Sequence, residues 1–248
     1  MSLATLVALS GIIFGGFFIQ GVTGFGATLF VMPLAILFID RCQMLPICLI
    51  YTLVQSFIIV YKNYKMINIK QLIIALLLAL IIGMPLGEYA VIALDANILK
   101  IMFAMFIFMY SIKSLYDISV GNTNKEQRTT IRFANYLLPV ISGCLQTAFG
   151  VGGPALMAFL SKIISDKNET RATICAYWIV LNSTILTCSY LNSTLELSYD
   201  TVILLLPAFV TGGISGGIIA NKISQIKFLL IVYSSLILSA LLILVQVI

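Results

Sequence analysis

Apolar residues in this chain gather in long unbroken runs. They show neither the alternation of a half-buried strand nor the one-sided stripe of a surface helix. Bounded by charge or glycine, the runs fall at about 3–20, 27–39, 43–61, 70–90 and 97–115, then at about 134–149, 154–165, 171–190, 199–220 and 227–247. Most reach the roughly 17–25 residues that a helix needs to cross a hydrocarbon core of about 30 Å. Two do not: 27–39 and 154–165 hold 13 and 12 residues, or about 18–20 Å of helix, and they occupy matching places in the two sets. A single polar stretch of real length, Asp117 to Arg132, separates the sets. The pattern predicts an all-α polytopic membrane protein built from two repeats of about five hydrophobic segments each, with short broken or re-entrant helices. Residues 1–116 form the N-terminal repeat, 117–133 a linker and 134–248 the C-terminal repeat, all within one membrane domain.

The repeat is visible in the residues. A shift of 126 lays the segment from Gln20 to Gly26 on Gln146 to Gly152, with Gln20 on Gln146, and it also superposes Leu34, Asp40 and Tyr51 on Leu160, Asp166 and Tyr177. A shift of 129 lays Gly83 and Gly87 on Gly212 and Gly216. The Lys and Arg positions choose the relative orientation, because cytoplasmic loops collect them. If each half crosses an odd number of times, 12 of the 14 cations fall on one side, leaving Arg41 and Lys100 opposite. If each half crosses four times, they divide evenly, with no bias. The repeats are therefore expected to be inverted, with the 117–133 linker in the cytoplasm and both termini outside. The apolar N-terminus lacks the positive region of a secretory signal and reads as a membrane segment.

Composition narrows the chemistry. The chain of 248 residues is 61% hydrophobic and 9% charged, where a soluble domain carries about 25% charged residues. A soluble enzyme and a nucleic-acid binder are both excluded, and the net charge of +5 bears on membrane orientation. No histidine is present, so the commonest general base and metal ligand are missing. The five scattered cysteines contain no C-x-x-C pair and read as buried thiols. No cofactor, metal cluster, catalytic dyad or nucleotide phosphate loop is written in the chain, and an enzyme is not expected.

The candidate chemistry lies in two glycine-rich breaks, Gly21–Gly26 and Phe149–Pro154, each leading into a helix too short to span. Non-helical backbone at membrane depth must be buried in protein or line an aqueous cavity. The start of a short helix offers unpaired N–H groups and the positive end of its dipole, an arrangement suited to an anion. Paired breaks in an inverted repeat point to the substrate site of a transporter. Candidate substrate-binding residues are Gln20, Thr23, Gly24, Phe25, Gly26 and Thr28 from the first break. From the second come Gln146, Thr147, Gly150, Gly152 and Gly153, joined by Asn182 and Ser183 from a polar run in the third segment. Gly83, Gly87, Gly212 and Gly216 are four apart in pairs and suit close helix packing, and Tyr51, Tyr177 and Trp178 could close a cavity or sit in the packing, with packing preferred. No carboxylate, lysine or arginine falls mid-segment, so backbone N–H groups, amides and hydroxyls would have to hold the anion.

The segment from Gly21 through Phe25, Gly26 and Thr28 to Leu34 resembles the first glycine motif of the TauE/SafE family of membrane anion transporters. Phe149 to Pro154 resembles the second, and the glycine pairs at 83/87 and 212/216 fall where that family has its own. The likeness covers about residues 5 to 245. It implies a cell-membrane transporter of sulfite, a sulfonate or a related sulfur oxyanion. Where many members have a Gly-x-Gly-Gly-Gly run, this chain reads Gly-Phe-Gly-Ala-Thr. The expectation is a secondary transporter with alternating access and export favoured. A passive anion channel and a carrier of a non-sulfur organic anion remain as alternatives. The expected partners are a small anion and the lipid bilayer, with the coupling ion and a homo-oligomeric state left open.

Overall fold

The computed structural model describes residues 3–35, 38–93, 96–119, 133–193 and 195–245, and among them every regular element is helical. Residues 120–132, most of the expected linker, lie outside the described residues. The first half contains α1 (Leu3–Thr23), α2 (Ala27–Ala35), α3 (Arg41–Asn63), α4 (Ile69–Leu78), α5 (Met84–Ala93) and α6 (Ala96–Ser119). The second contains α7 (Leu137–Phe149), α8 (Gly153–Leu160), α9 (Lys167–Leu191), α10 (Tyr199–Lys222) and α11 (Gln225–Val245). A π-helical turn, Ala79–Gly83, joins α4 to α5 into one long apolar rod. Five stretches among the described residues are long and apolar enough to cross a membrane: Leu3–Thr23, Cys42–Met66, Ile69–Ala90, Lys167–Leu191 and Tyr199–Ala220. This is a multi-pass membrane protein.

The two short helices are shorter than their apolar runs. α2 has 9 residues and α8 has 8, about 12–14 Å each. Pro154 sits in the first turn of α8, where its missing N–H costs no helical bond. The breaks before the two helices need left-handed backbone: Gly24 and Gly26 have φ of 85° and 95°, and Gly150 has φ of 72°. A side chain at φ > 0 is strained, which is why glycine occupies these three places.

Elements pack in matching ways in the two halves. α1 lies against α10, α7 against the α4–α5 rod, α3 against α9, and α6 against α11. Glycine allows the closest of these approaches. A Cβ at Gly83 or Gly87 would come 2.5 Å from a carbonyl oxygen of α7, that of Val140 or Cys144. One at Gly212 would come 2.5 Å from Phe14 O of α1, and one at Gly216 would collide with Phe18 O. Tyr51 of α3 donates its hydroxyl to Val202 O of α10, while Tyr177 of α9 donates to Ser142 Oγ of α7 at 3.2 Å. α3 and α9 are thus the central pair, α3 tied to α10, which packs on α1, and α9 tied to α7, which leads into the second break.

Candidate functional site

The two breaks meet face to face. A Cβ on Gly153 would lie 2.5 Å from the Phe25 ring, and one on Gly150 would lie 2.8 Å from the Thr28 methyl. Between them is a small crevice with about 260 Å³ of free space. The first break supplies Gln20, Phe25, Gly26, Thr28 and Leu29 to its wall, and the second supplies Gln146, Gly150, Val151 and Gly153. Thr52 of α3 and Trp178 of α9 close it from the central pair.

Two helix starts point into this space. In α2 the first helical bond runs from Phe30 N to Gly26 O at 3.1 Å, leaving the N–H groups of Ala27, Thr28 and Leu29 without helical acceptors. In α8 the first runs from Leu156 N to Gly152 O at 3.3 Å, which leaves those of Gly153 and Ala155. The dipoles of both helices add positive potential at the same place.

The side chains continue the theme. Gln20 is 1% exposed and accepts from Thr52 Oγ1 at 3.2 Å, while its Nε2 has no partner. Trp178 is 3% exposed and its indole N–H is likewise unpaired. Buried donors without acceptors each cost about 1–3 kcal/mol, and two of them belong to residues that line this one crevice. Gln146 has a different task. Its Oε1 accepts the Gly152 N–H at 2.9 Å and its Nε2 donates to Asn182 Oδ1 at 2.8 Å. It fixes the shape of the second break, and Asn182 holds it from behind.

Other residues expected at the site lie elsewhere. Thr23 is absorbed within the first break, donating to Ile19 O at 2.9 Å and to Phe25 O at 2.5 Å while accepting from Phe25 N at 3.2 Å. Gly24 packs against Arg171 and Cys175. Thr147 turns back to Gly143 O at 3.0 Å and lies against Gly87. Gly152 contributes its backbone to Gln146, with Ser142 O where its Cβ would be. Ser183 is exposed, on the side of α9 away from the crevice. Residue-by-residue reading passed over Thr52 and assigned Trp178 to packing. The 126-residue shift relates them: 52 falls on 178 as Gln20 falls on Gln146 and Phe25 on Val151, and all six line the crevice.

One cation also lies deeper than expected. α9 starts at Lys167, four residues ahead of the apolar run, so Arg171 sits inside the helix and is 7% exposed. Its guanidinium donates to Gly21 O at the first break.

No curated protein and no solved structure matches the chain. A family model described as "Sulfite exporter TauE/SafE" matches residues 7–243, nearly the whole length and both breaks. The chain with these paired breaks is a membrane transport protein of the sulfite exporter TauE/SafE family.

Proposed function

We propose that the crevice between the two breaks is the substrate site, and that the chain is a secondary transporter of a small sulfur oxyanion such as sulfite or a sulfonate. The observation that carries this reading is the convergence of donors without matching acceptors. The starts of α2 and α8, Gln20 with its unpaired Nε2 and Trp178 with its unpaired indole N–H all line one small space. Among the described residues, no acid lines it. A neutral ligand would gain little from such a lining, whereas an oxyanion takes several charge-assisted hydrogen bonds at once. Phe25 and Trp178 exclude water and so strengthen those bonds.

In this reading the halves are inverted about the crevice, with the termini outside and the linker in the cytoplasm. One half rocks against the other to alternate access. The Lys and Arg distribution supports that orientation. The membrane potential favours export: one negative charge leaving a cell held at 100 mV, inside negative, gains about 2.3 kcal/mol. Counterflow in proteoliposomes tests the reading, using labelled sulfite, thiosulfate, sulfoacetate, taurine and sulfate, with chloride as control. Saturable exchange of one sulfur anion is expected. Conductive flux without saturation would make the protein a channel, and silence from folded protein would remove the sulfur-anion assignment.

A further inference from the structure

A second and larger cavity opens between α3 and α10. It has about 940 Å³ of free space, and its lining carries both cationic and apolar side chains. Its polar lining comprises Lys62, in the last turn of α3, the buried Arg171 of α9, and Gln55 and Asn63 of α3. Two polar atoms there are without partners, Arg171 Nε and Gln55 Oε1, on residues only 7% and 4% exposed. Arg171 is held by the Gly21 carbonyl, and no carboxylate among the described residues is paired with it. The apolar part of the wall comes mainly from isoleucines, Phe209 and Val210. Ile58, Ile214 and Ile218 line it with exposures of 51%, 59% and 51%, so in a bilayer the cleft opens sideways onto acyl chains.

The cation has no counterpart across the repeat. The 126-residue shift lays Arg171 on Leu45 and Lys62 on Cys188. Leu45 touches Gly150 as Arg171 touches Gly24, so the two breaks are backed alike except that one backing side chain is charged. A buried cation costs free energy unless an anion meets it. The anion must tolerate a wall of isoleucine, which a small hydrated ion does not need and an amphiphile does. We propose that this cleft holds an anionic phospholipid, with its phosphate on Lys62 and Arg171 and an acyl chain against Ile58, Ile214 and Ile218. Because Arg171 also holds Gly21, the bound lipid would pull on the back of the first break and so modulate the crevice it carries.

Native mass spectrometry of the detergent-purified protein tests this without recourse to transport. The chain is titrated with phosphatidylglycerol, with phosphatidylcholine of the same acyl chains as control. Phosphatidylglycerol should half-saturate at the lower concentration. Lys62→Gln changes an exposed side chain that folding does not need, and it should raise that concentration about fivefold, as expected for one cation near a membrane surface. Lys62→Gln with Arg171→Gln should raise it further and leave phosphatidylcholine uptake unchanged. Equal uptake of the two lipids, or phosphatidylglycerol uptake unaltered by Lys62→Gln, overturns the proposal. Sodium sulfate distinguishes the other source of an oxyanion. If sulfate stabilises the protein against heating, and Lys62→Gln abolishes that effect but leaves lipid uptake alone, the cleft belongs to a free anion and not to a lipid. Neither result bears on the crevice between the breaks.

Discussion

Gln20→Met separates binding from architecture. The amide of Gln20 is buried on the crevice wall, with its oxygen on Thr52 and its Nε2 unpaired. Methionine keeps the length and volume of the side chain. The substitution deletes one hydrogen bond, worth about 1 kcal/mol, and also removes an unsatisfied buried donor that costs about 1–3 kcal/mol. Thr52 can turn its hydroxyl back to a carbonyl of its own helix, as threonines in helices do. The fold should therefore lose nothing, so the melting temperature in detergent should hold or rise. A hydrogen bond to a charged group contributes about 1.5–3 kcal/mol, so the half-saturating anion concentration in counterflow should rise roughly 10- to 150-fold. The two readouts move in different directions, which simple damage cannot imitate. An unchanged half-saturation together with a lower melting temperature would refute the reasoning, because Gln20 would then be a structural amide only.

Other substitutions test neighbouring parts of the same picture. Trp178→Phe removes the unpaired indole N–H and should weaken anion half-saturation about tenfold or more, measured by counterflow. Asn182→Ala leaves the Gln146 amide without its acceptor; it should cost about 1–3 kcal/mol of stability, seen as a lower melting temperature together with weaker anion half-saturation. Ser183→Ala, one residue away but exposed, should change neither measurement. Gly216→Val drives a side chain into the Phe18 carbonyl where α10 meets α1; the yield of folded protein by size exclusion should fall, while any folded fraction keeps its half-saturation.

Much of this architecture can be read in the residues because the membrane restricts the choices. Backbone that leaves the helix at depth has to be glycine-permitted and sheltered, so Gly21–Gly26 and Gly150–Gly153 announce both the breaks and the space between them. Side-chain direction is harder to read. Asn182, Ser183 and Thr184 look alike as a polar run, but successive helical residues point about 100° apart. Asn182 therefore reaches Gln146 while Ser183 faces outward. Thr52 and Trp178 are unlike side chains that line the same crevice from positions 126 residues apart, which no reading of single residues would join. Arg171 looked like a loop cation because apolarity defined where α9 began. The capping signal was nevertheless present: Asp166 accepts from the Asn168 and Glu169 N–H groups, four residues before the buried stretch that begins at Thr170. The π-helical turn at Ala79–Gly83 left no mark in the apolar pattern, since it changes the rotation of a helix and not its composition.

Trp178 provides the most direct test, because it is the chain's one tryptophan and its ring lines the crevice. Its fluorescence can be followed in purified protein, without a label, while sulfite, sulfoacetate and chloride are titrated in turn. An anion held between the breaks should change the emission saturably, at the concentration that half-saturates counterflow in the same preparation. Gln20→Met should shift both curves together. Active counterflow of an anion that leaves Trp178 emission untouched through saturation would contradict a site between the breaks and place the substrate elsewhere in the protein.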